Sequence, residues 1–295
     1  MASIRNLPVQ YASRLKRFAT SSKDFDVLTT VAADRVPPPK TLFVLDSSFN
    51  PPTLAHLRIA SSALLERLEP SSRLLLLLAT QNADKPSKPA SFEDRLAMME
   101  LFANDLRTHL ATKPATTASP GAPLSMECVP AIDIGVTKKP YFVDKAMAIE
   151  ASGYYPTPLE QVHLTGYDTL IRIFNAKYYP PEHTLQPLTP LFSRHRLRVT
   201  LRPDDEWGGK EEQQAFLRGL ANGDRENQGG RREWAERIQL VEGKTSEEQP
   251  VSSTKARDAA QSASRDLEWL VPGQVRQFVL SERPYSGESR NSGAL

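Results

Sequence analysis

Cysteine is almost absent from this sequence of 295 residues, which contains only Cys128. A single cysteine excludes an internal disulfide framework and is typical of a reducing compartment. Long apolar runs are missing as well. The longest covers residues 74–79, whereas a membrane-spanning helix requires roughly 20 apolar residues. We therefore expect a soluble protein of the cytoplasm, the nucleus or both, with no membrane partner.

The sequence also lacks an excess of either charge. Its 37 lysines and arginines nearly balance 35 aspartates and glutamates, and the net charge is +2. No basic stripe indicates a nucleic-acid partner, and no cluster of cysteine and histidine has the spacing of a metal site. With 39% hydrophobic residues, the chain is able to bury a sizeable core, as one large domain or one domain with insertions. These features leave the oligomeric state open.

The first 40 residues carry basic residues and serines but no acid before Asp24. This is the composition of a mitochondrial presequence. The helical spacing of Tyr11, Leu15 and Phe18 instead predicts an amphipathic helix around residues 8–18 that packs on the rest of the protein. We favour the packed helix, and we treat residues 1–40 as an N-terminal extension.

Apolar runs and helical patterns alternate along residues 41–280. The patterns predict strands at 41–45, 74–79, 126–134, 161–165, 197–201 and 238–241, and helices at 51–68, 91–110, 143–152 and from about 254 to 280. The alternation indicates an α/β protein with a Rossmann-like, doubly wound, mostly parallel sheet and helices on both faces. We expect one domain at 41–280, with an insertion at about 203–237 and a flexible C-terminal tail at 281–295.

The stretch FVLDSSFNPPTLAHLRIASSALLERL, residues 43–68, combines a strand with the start of a helix. Asn50 is a good N-cap and Pro51 a good first helical residue, which predicts that the helix begins there. Thr53 and His56 then share one face of its first turns. A helix start attracts anions, and a histidine there is able to donate a hydrogen bond to a phosphate oxygen. The alternative is an ordinary surface histidine.

A second helix start has similar chemistry. The segment VSSTKARDA, residues 251–259, follows a predicted strand and presents three hydroxyl groups, a lysine and an arginine. Amides and hydroxyls bind phosphate oxygens, and a guanidinium group binds two at once. The alternative is a helix that a serine merely caps. Together, two such helix starts after strands favour a nucleoside triphosphate as ligand.

Both segments resemble motifs of one enzyme family. SFNPPTLAH resembles GSFNPxHxGH/TxGH, and SSTKAR resembles ISSTxxR, of the nicotinamide and nicotinate mononucleotide adenylyltransferases. FEDRLAMMEL, YFVDKA, GYDTL and WLVPGQVRQFV resemble further family segments in the same order. The resemblance runs from about residue 41 to 280, although 203–237 and the tail have no counterpart. It implies transfer of the adenylyl group of ATP to nicotinamide or nicotinate mononucleotide, with release of pyrophosphate.

The resemblance also implies the residues that contact ATP. His56 and Thr53 would act at the α-phosphate as the catalytic residues. The β- and γ-phosphates would be held by Ser252, Ser253, Thr254 and Arg257. Gly166 and Asp168 would meet the ribose hydroxyls, for which a carboxylate is a natural acceptor. Mg²⁺ would be carried on the ATP phosphates without a protein cage.

The mononucleotide side of the site is implied less directly. Ser48 and Phe49 would line the turn against its phosphate, joined by Lys85 or Lys88, for which a solvated loop is the alternative. Family members often hold the pyridine ring with tryptophan, but no tryptophan precedes residue 207. Tyr178 and Tyr179 are the substitutes we expect, with core packing as an equal alternative.

Three positions depart from the family motif. Ser47 and Ala55 stand where glycines are usual, and each adds a side chain near the expected phosphate. Thr53 replaces a histidine, as in phosphopantetheine adenylyltransferases. Two alternatives therefore stay open: another small-phosphate adenylyltransferase or cytidylyltransferase of this fold, and a catalytically silent scaffold.

Overall fold

The computed structural model describes residues 4–32, 37–66, 71–81, 90–112, 129–202, 207–243 and 250–286. The strands are β1 (Phe25–Val31), β2 (Thr41–Asp46), β3 (Ser72–Ala79), β4 (Ile132–Thr137), β5 (Glu160–Gly166), β6 (Arg196–Thr200) and β7 (Ile238–Val241). The helices are α1 (Leu7–Thr20), α2 (Leu54–Glu66), α3 (Phe92–Ala111), α4 (Phe142–Ala151), α5 (Tyr167–Ile173), α6 (Thr189–Arg194), α7 (Lys210–Asn222), α8 (Ser253–Gln261), α9 (Leu267–Leu270) and α10 (Gly273–Glu282). None of the helices within these described ranges is long and apolar enough to span a membrane.

The strands form one sheet in the order β1-β4-β3-β2-β5-β6-β7. Strands β2 to β7 are parallel to their neighbours, whereas β1 is antiparallel to β4. The chain runs outward from β2 through β3 to β4, then returns to place β5 beside β2 and continues to β7. This is the doubly wound α/β sheet that the sequence predicted. In such a sheet, ligands bind where the winding reverses, here at the carboxyl ends of β2 and β5.

Helices cover both faces of the sheet because alternate strand residues point to opposite sides. On one face, Phe43 and Leu45 pack with residues of α1, α2, α3 and α8 to α10. On the other, Leu42 and Val44 pack with α4, and a separate apolar cluster joins β6 to α5, α6 and α7. Strand β3 is buried on both sides, which explains its continuous run of leucines.

The N-terminal residues are part of the sheet layer. Helix α1 lies where its apolar spacing predicted, with Tyr11 and Phe18 buried, and the Tyr11 hydroxyl donates to Glu100 Oε2 at 2.6 Å. Strand β1 was not predicted, because threonines and an aspartate interrupt its apolar pattern. It pairs with β4 through the register Phe25↔Thr137 to Val31↔Ile132. Residues 4–32 therefore pack against the domain and do not form a separate N-terminal extension.

Two further boundaries differ from the predictions, those of β4 and of the C-terminal tail. Strand β4 begins at Ile132 and not at 126, although residues 126–128 lie outside the described ranges. Within the predicted insertion at about 203–237, the described residues 207–237 contain α7 and the buried Trp234 and lie between β6 and β7. The flexible tail was predicted too early, because α10 continues to Glu282 and Tyr285 is buried in the main core.

Candidate active site

The turn that follows β2 is anchored by Phe49. Its φ angle is +44°, which is uncommon for a residue other than glycine and requires support from packing. The side chain is fully buried, with its ring centroid 5.4 Å from that of His56 and 6.5 Å from that of Phe102. The Phe49 side chain therefore lies in the core beneath His56, and does not line a substrate surface as the resemblance implied. Ser48 is exposed on the turn.

Helix α2 begins at Leu54, three residues after the start that the sequence predicted at Pro51. The reason is the Pro51-Pro52 pair, because the residue before a proline is disfavoured in the helical region. Thr53 therefore takes the position just ahead of the helix, where its carbonyl accepts a hydrogen bond from the Leu57 N–H at 3.1 Å. This places Thr53 directly beside His56.

The hydrogen bonds of His56 define its tautomer. The backbone N–H of Thr53 donates to Nδ1 at 3.0 Å, and the Thr53 hydroxyl lies 2.8 Å from the same nitrogen. Because Nδ1 accepts, the neutral ring carries its proton on Nε2. That nitrogen lies 3.0 Å from Oγ of Ser47. Burial lowers the pKa of His56 to about 4, so at neutral pH the ring is uncharged and offers one N–H donor.

The second segment that the sequence predicts to bind phosphate docks directly on the first. The Ser253 hydroxyl donates to the carbonyl of Pro51 at 2.9 Å, across 202 residues of sequence. Arg257 donates from Nη1 to the carbonyl of Asn50 at 2.8 Å and from Nη2 to Thr254 Oγ1 at 3.0 Å. Ser252 caps α8 by accepting from the Lys255 N–H at 3.2 Å. The two helix starts therefore form one surface.

Gly166 and Asp168 lie at the junction of β5 and α5, next to the first motif. Gly166 ends β5, which pairs with β2, and it is also the N-cap of α5. A Cβ atom on Gly166 would lie 2.7 Å from Oδ1 of Asp168, so a larger residue at this position would require the carboxylate to move. The Asp168 carboxylate therefore lies against the N-cap of α5, next to the carboxyl ends of the two central strands.

A pocket of about 180 Å³ opens at the same edge. Its wall includes Asp46, Tyr141, Phe142, Arg172, Tyr178 and Tyr179. The Tyr179 side chain belongs to the core cluster and donates its hydroxyl proton to the carbonyl of Ile173 at 2.7 Å; burial raises its pKa. Tyr178 is half-buried, and its ring centroid is 6.5 Å from that of Tyr141. The lysines predicted nearby, Lys85 and Lys88, lie outside the described residues.

The sequence reasoning missed two charged residues at this edge, Asp46 and Lys145. Nζ of Lys145 donates to Oδ2 of Asp46, and the side chains are 7% and 9% exposed. A buried lysine requires such a partner. The available signal was a lysine within the apolar pattern of α4 and an aspartate at the end of a buried strand.

Within the described ranges, no group of three or more His, Cys, Asp and Glu side chains is arranged to hold a metal ion. A larger cavity, of about 240 Å³, is lined by residues at the starts of β6 and β7 and by Glu66 at the end of α2. That is the opposite edge of the sheet, and none of the residues predicted to bind ATP or the mononucleotide lines this cavity.

The doubly wound fold, with two helix starts that carry phosphate-binding groups at its switch point, defines the site of a nucleotidyltransferase. Residues 44–121 match the cytidylyltransferase-like family. A Schizosaccharomyces pombe protein provisionally named nicotinamide mononucleotide adenylyltransferase is 33% identical over 278 residues, which are 94% of this chain and 97% of that protein. The chain belongs to the nicotinamide mononucleotide adenylyltransferase family.

A solved structure has a similar fold. The Plasmodium falciparum nicotinic acid mononucleotide adenylyltransferase complexed with NaAD superimposes with a TM-score of 0.51 and 12% identity, over 83% of this chain and 97% of that one.

Proposed function

We propose that the protein joins the adenylyl group of ATP to the 5'-phosphate of nicotinamide or nicotinate mononucleotide. The observation that carries this proposal is the docking of α8 on the first motif through Arg257 and the carbonyl of Asn50, 2.8 Å apart. Two phosphate-binding helix starts are thereby fixed next to each other. A triphosphate bound along that surface has its α-phosphate near His56 and its outer phosphates near α8.

The reaction forms a bond between an oxygen of the mononucleotide phosphate and the α-phosphorus of ATP. The bond from the α-phosphorus to the bridging oxygen of the β-phosphate breaks, and pyrophosphate leaves with that electron pair. Such transfers depend mainly on positioning and on stabilising the charge that develops on the phosphate oxygens. His56 supplies a neutral N–H donor for a non-bridging α-phosphate oxygen, and Thr53 holds the ring in the tautomer that makes this possible.

The hydroxyls of α8 divide into two roles. The Ser253 proton is already donated to the Pro51 carbonyl, so Ser253 holds the two motifs together. Ser252 and Thr254 accept hydrogen bonds through their oxygens, which leaves their own protons for the β- and γ-phosphates. Arg257 contributes charge beside them. Mg²⁺ bound to the phosphates would neutralise their charge, since this ion prefers oxygen ligands and substrate phosphates.

The aromatic pocket is the proposed site of the pyridine ring. Tyr178 and Tyr141 present half-buried rings at its wall, and rings of this kind stack on planar ligands. Asp168, held at the same edge of the sheet, is the proposed acceptor for the ribose hydroxyls of ATP.

A direct assay tests the proposal. The protein is incubated with ATP, Mg²⁺ and each mononucleotide in turn, and the dinucleotide and pyrophosphate formed are quantified. The two products should appear in equal amounts. Parallel reactions contain CTP in place of ATP, or phosphopantetheine in place of the mononucleotide. Dinucleotide formation that requires ATP supports the proposal. Product only with CTP would identify a cytidylyltransferase, and product only with phosphopantetheine would identify a phosphopantetheine adenylyltransferase. No product with any combination of substrates would identify a catalytically silent scaffold.

A further inference from the structure

The polar end of the aromatic pocket is formed by Asp46. It is the only acidic residue among the described residues that line the pocket. Most of the remaining wall is aromatic or aliphatic, so the Asp46 carboxylate is positioned to meet any polar substituent that a planar ring carries into the pocket. Its position is fixed by the end of β2, whose register with β3 continues to the pair Asp46↔Leu77.

Lys145 holds this carboxylate in place from outside the pocket. Its ammonium group binds Oδ2 of Asp46 and lies 5.4 Å from the centre of the Phe142 ring. Lys145 does not line the pocket. Oδ1 of Asp46 has no hydrogen-bond partner among the described residues, so one carboxylate oxygen is committed to the ion pair and the other is available to a ligand.

We propose that Asp46 makes the site selective for the amide form of the mononucleotide over the acid form. This inference rests on the proposed function, because it concerns the pyridine pocket of the same site. A carboxamide donates an N–H to Oδ1 of Asp46, and hydrogen bonds to a charged acceptor are stronger than those between neutral groups. A carboxylate on the ring would instead meet the like charge of Asp46, whose side chain is only 9% exposed, so solvent screens the repulsion weakly.

The neighbouring positive charges do not reverse this selectivity. Lys145 is already paired with Asp46. Arg172 is exposed at the pocket wall, and solvent weakens the field of an exposed charge. Asp144, in the first turn of α4, contributes to the raised pKa of Tyr179 and adds a second negative charge nearby.

Strand β5, next to β2, contains a further polar group near Asp46, the hydroxyl of Thr165. Asp46 and Thr165 each lie one residue beyond the paired residues Leu45 and Leu164. The Thr165 hydroxyl is buried and has no hydrogen-bond partner among the described residues. The corner around Asp46 therefore retains hydrogen-bonding capacity that the described protein groups do not use, as expected where a polar ligand group binds.

The test compares the two mononucleotides in the wild-type protein and in Asp46→Asn. We expect the wild-type kcat/KM to be about tenfold or more higher for the amide than for the acid. Asp46→Asn should reduce this ratio of amide to acid by at least about fivefold, with the KM for ATP unchanged. Calorimetric titration with each mononucleotide gives the same comparison without turnover. A wild-type protein that binds and uses the acid equally well overturns the inference, as does a folded Asp46→Asn variant with the wild-type ratio.

Two additional variants keep the result interpretable. Asp46→Asn with Lys145→Met removes both charges, and it carries the test if the single variant does not fold. Asp24→Asn removes a carboxylate from the exposed ion pair with Lys139 and should leave the ratio unchanged. Selective binding of the amide without dinucleotide formation would support the inference while rejecting the proposed reaction. Turnover of both mononucleotides without discrimination would support the proposed reaction while rejecting the selectivity. A protein that binds neither mononucleotide would reject both the reaction and the selectivity.

Discussion

The hydroxyl oxygen of Ser47 lies 3.0 Å from Nε2 of His56, the ring nitrogen that carries the proton. The N–H that we propose as the donor to the α-phosphate is therefore engaged by a neighbouring side chain. In the proposed reaction, ATP binding would exchange this hydrogen bond for one to a phosphate oxygen. The family motif has glycine at this position, where no such competition exists.

Replacing Ser47 with alanine should strengthen ATP binding. A hydrogen bond of this kind contributes about 0.5–1.5 kcal/mol, so we expect Ser47→Ala to lower the KM for ATP about two- to tenfold while kcat stays within about twofold. Steady-state kinetics at saturating mononucleotide measure both constants. Ser193→Ala, at an exposed serine of α6, is the matched control. An increase in KM would mean that the Ser47 hydroxyl itself binds the phosphate.

Removing the His56 side chain should affect turnover far more than stability. His56→Ala eliminates the N–H donor, and we expect kcat to fall about a hundredfold or more. The loss of stability should be smaller, because it is limited to the contacts of one side chain with Thr53, Ser47 and Phe49. Thermal melting is measured beside the kinetics. His183→Ala, at an exposed histidine, should behave like the wild type. Near-normal turnover of folded His56→Ala would reject the role of this residue.

Arg257 should matter for ATP but not for the mononucleotide. Arg257→Ala removes a charge and two donors from the α8 surface, so we expect weaker binding of ATP, and of pyrophosphate in the reverse reaction, with nearly unchanged mononucleotide affinity. Titrations with the three ligands are compared with those of Lys255→Ala, an exposed cation on the same helix. Equal loss of all three affinities would indicate that α8 has moved, since Arg257 also binds the Asn50 carbonyl.

Tyr178 is the cleaner probe of ring stacking, because Tyr179 is buried and its loss would disturb the core. Aromatic stacking contributes roughly 1–3 kcal/mol by alanine substitution in nucleic-acid grooves. Tyr178→Ala should therefore raise the KM for the mononucleotide about five- to a hundredfold and leave the KM for ATP unchanged. Tyr178→Phe keeps the ring and should be nearly silent. An unchanged constant in Tyr178→Ala would place the pyridine site elsewhere.

His163 should make the protein sensitive to acid. The ring is buried in β5 without hydrogen-bond partners among the described residues. Burial, together with the nearby His195 and Lys145, lowers its pKa from 6.5 to about 3. Between these pH values the unfolded chain binds a proton that the folded protein does not. The free energy of unfolding should therefore fall as the pH falls, by up to about 1.4 kcal/mol per pH unit from this residue.

Urea unfolding at pH 7 and pH 5 tests this expectation. His163→Leu lacks the titrating group, so it should lose less stability between the two pH values than the wild type. Equal losses in the two proteins would show that other groups account for the acid sensitivity.

Local patterns in the sequence were sufficient to predict the fold class. Continuous apolar runs such as Leu74–Leu78 suit a strand covered on both faces, and their alternation with helical patterns predicted the doubly wound sheet. The motifs around His56 and Arg257 were recognisable for the same reason, since a helix start with its polar residues is encoded within about ten residues. Strand β1 was missed because an edge strand needs only a partial apolar pattern.

The contacts that assemble the site depend on tertiary structure alone. Arg257 and Asn50 are 207 residues apart, and the pairs Ser47–His56 and Asp46–Lys145 depend on side-chain direction and on the sheet register that brings β2 next to β5. A sequence pattern reports which side of an element is apolar, but not which polar groups from different elements meet. Only the packed structure therefore decided that His56 is a neutral donor bound to Ser47 and that a paired aspartate forms the polar end of the pocket.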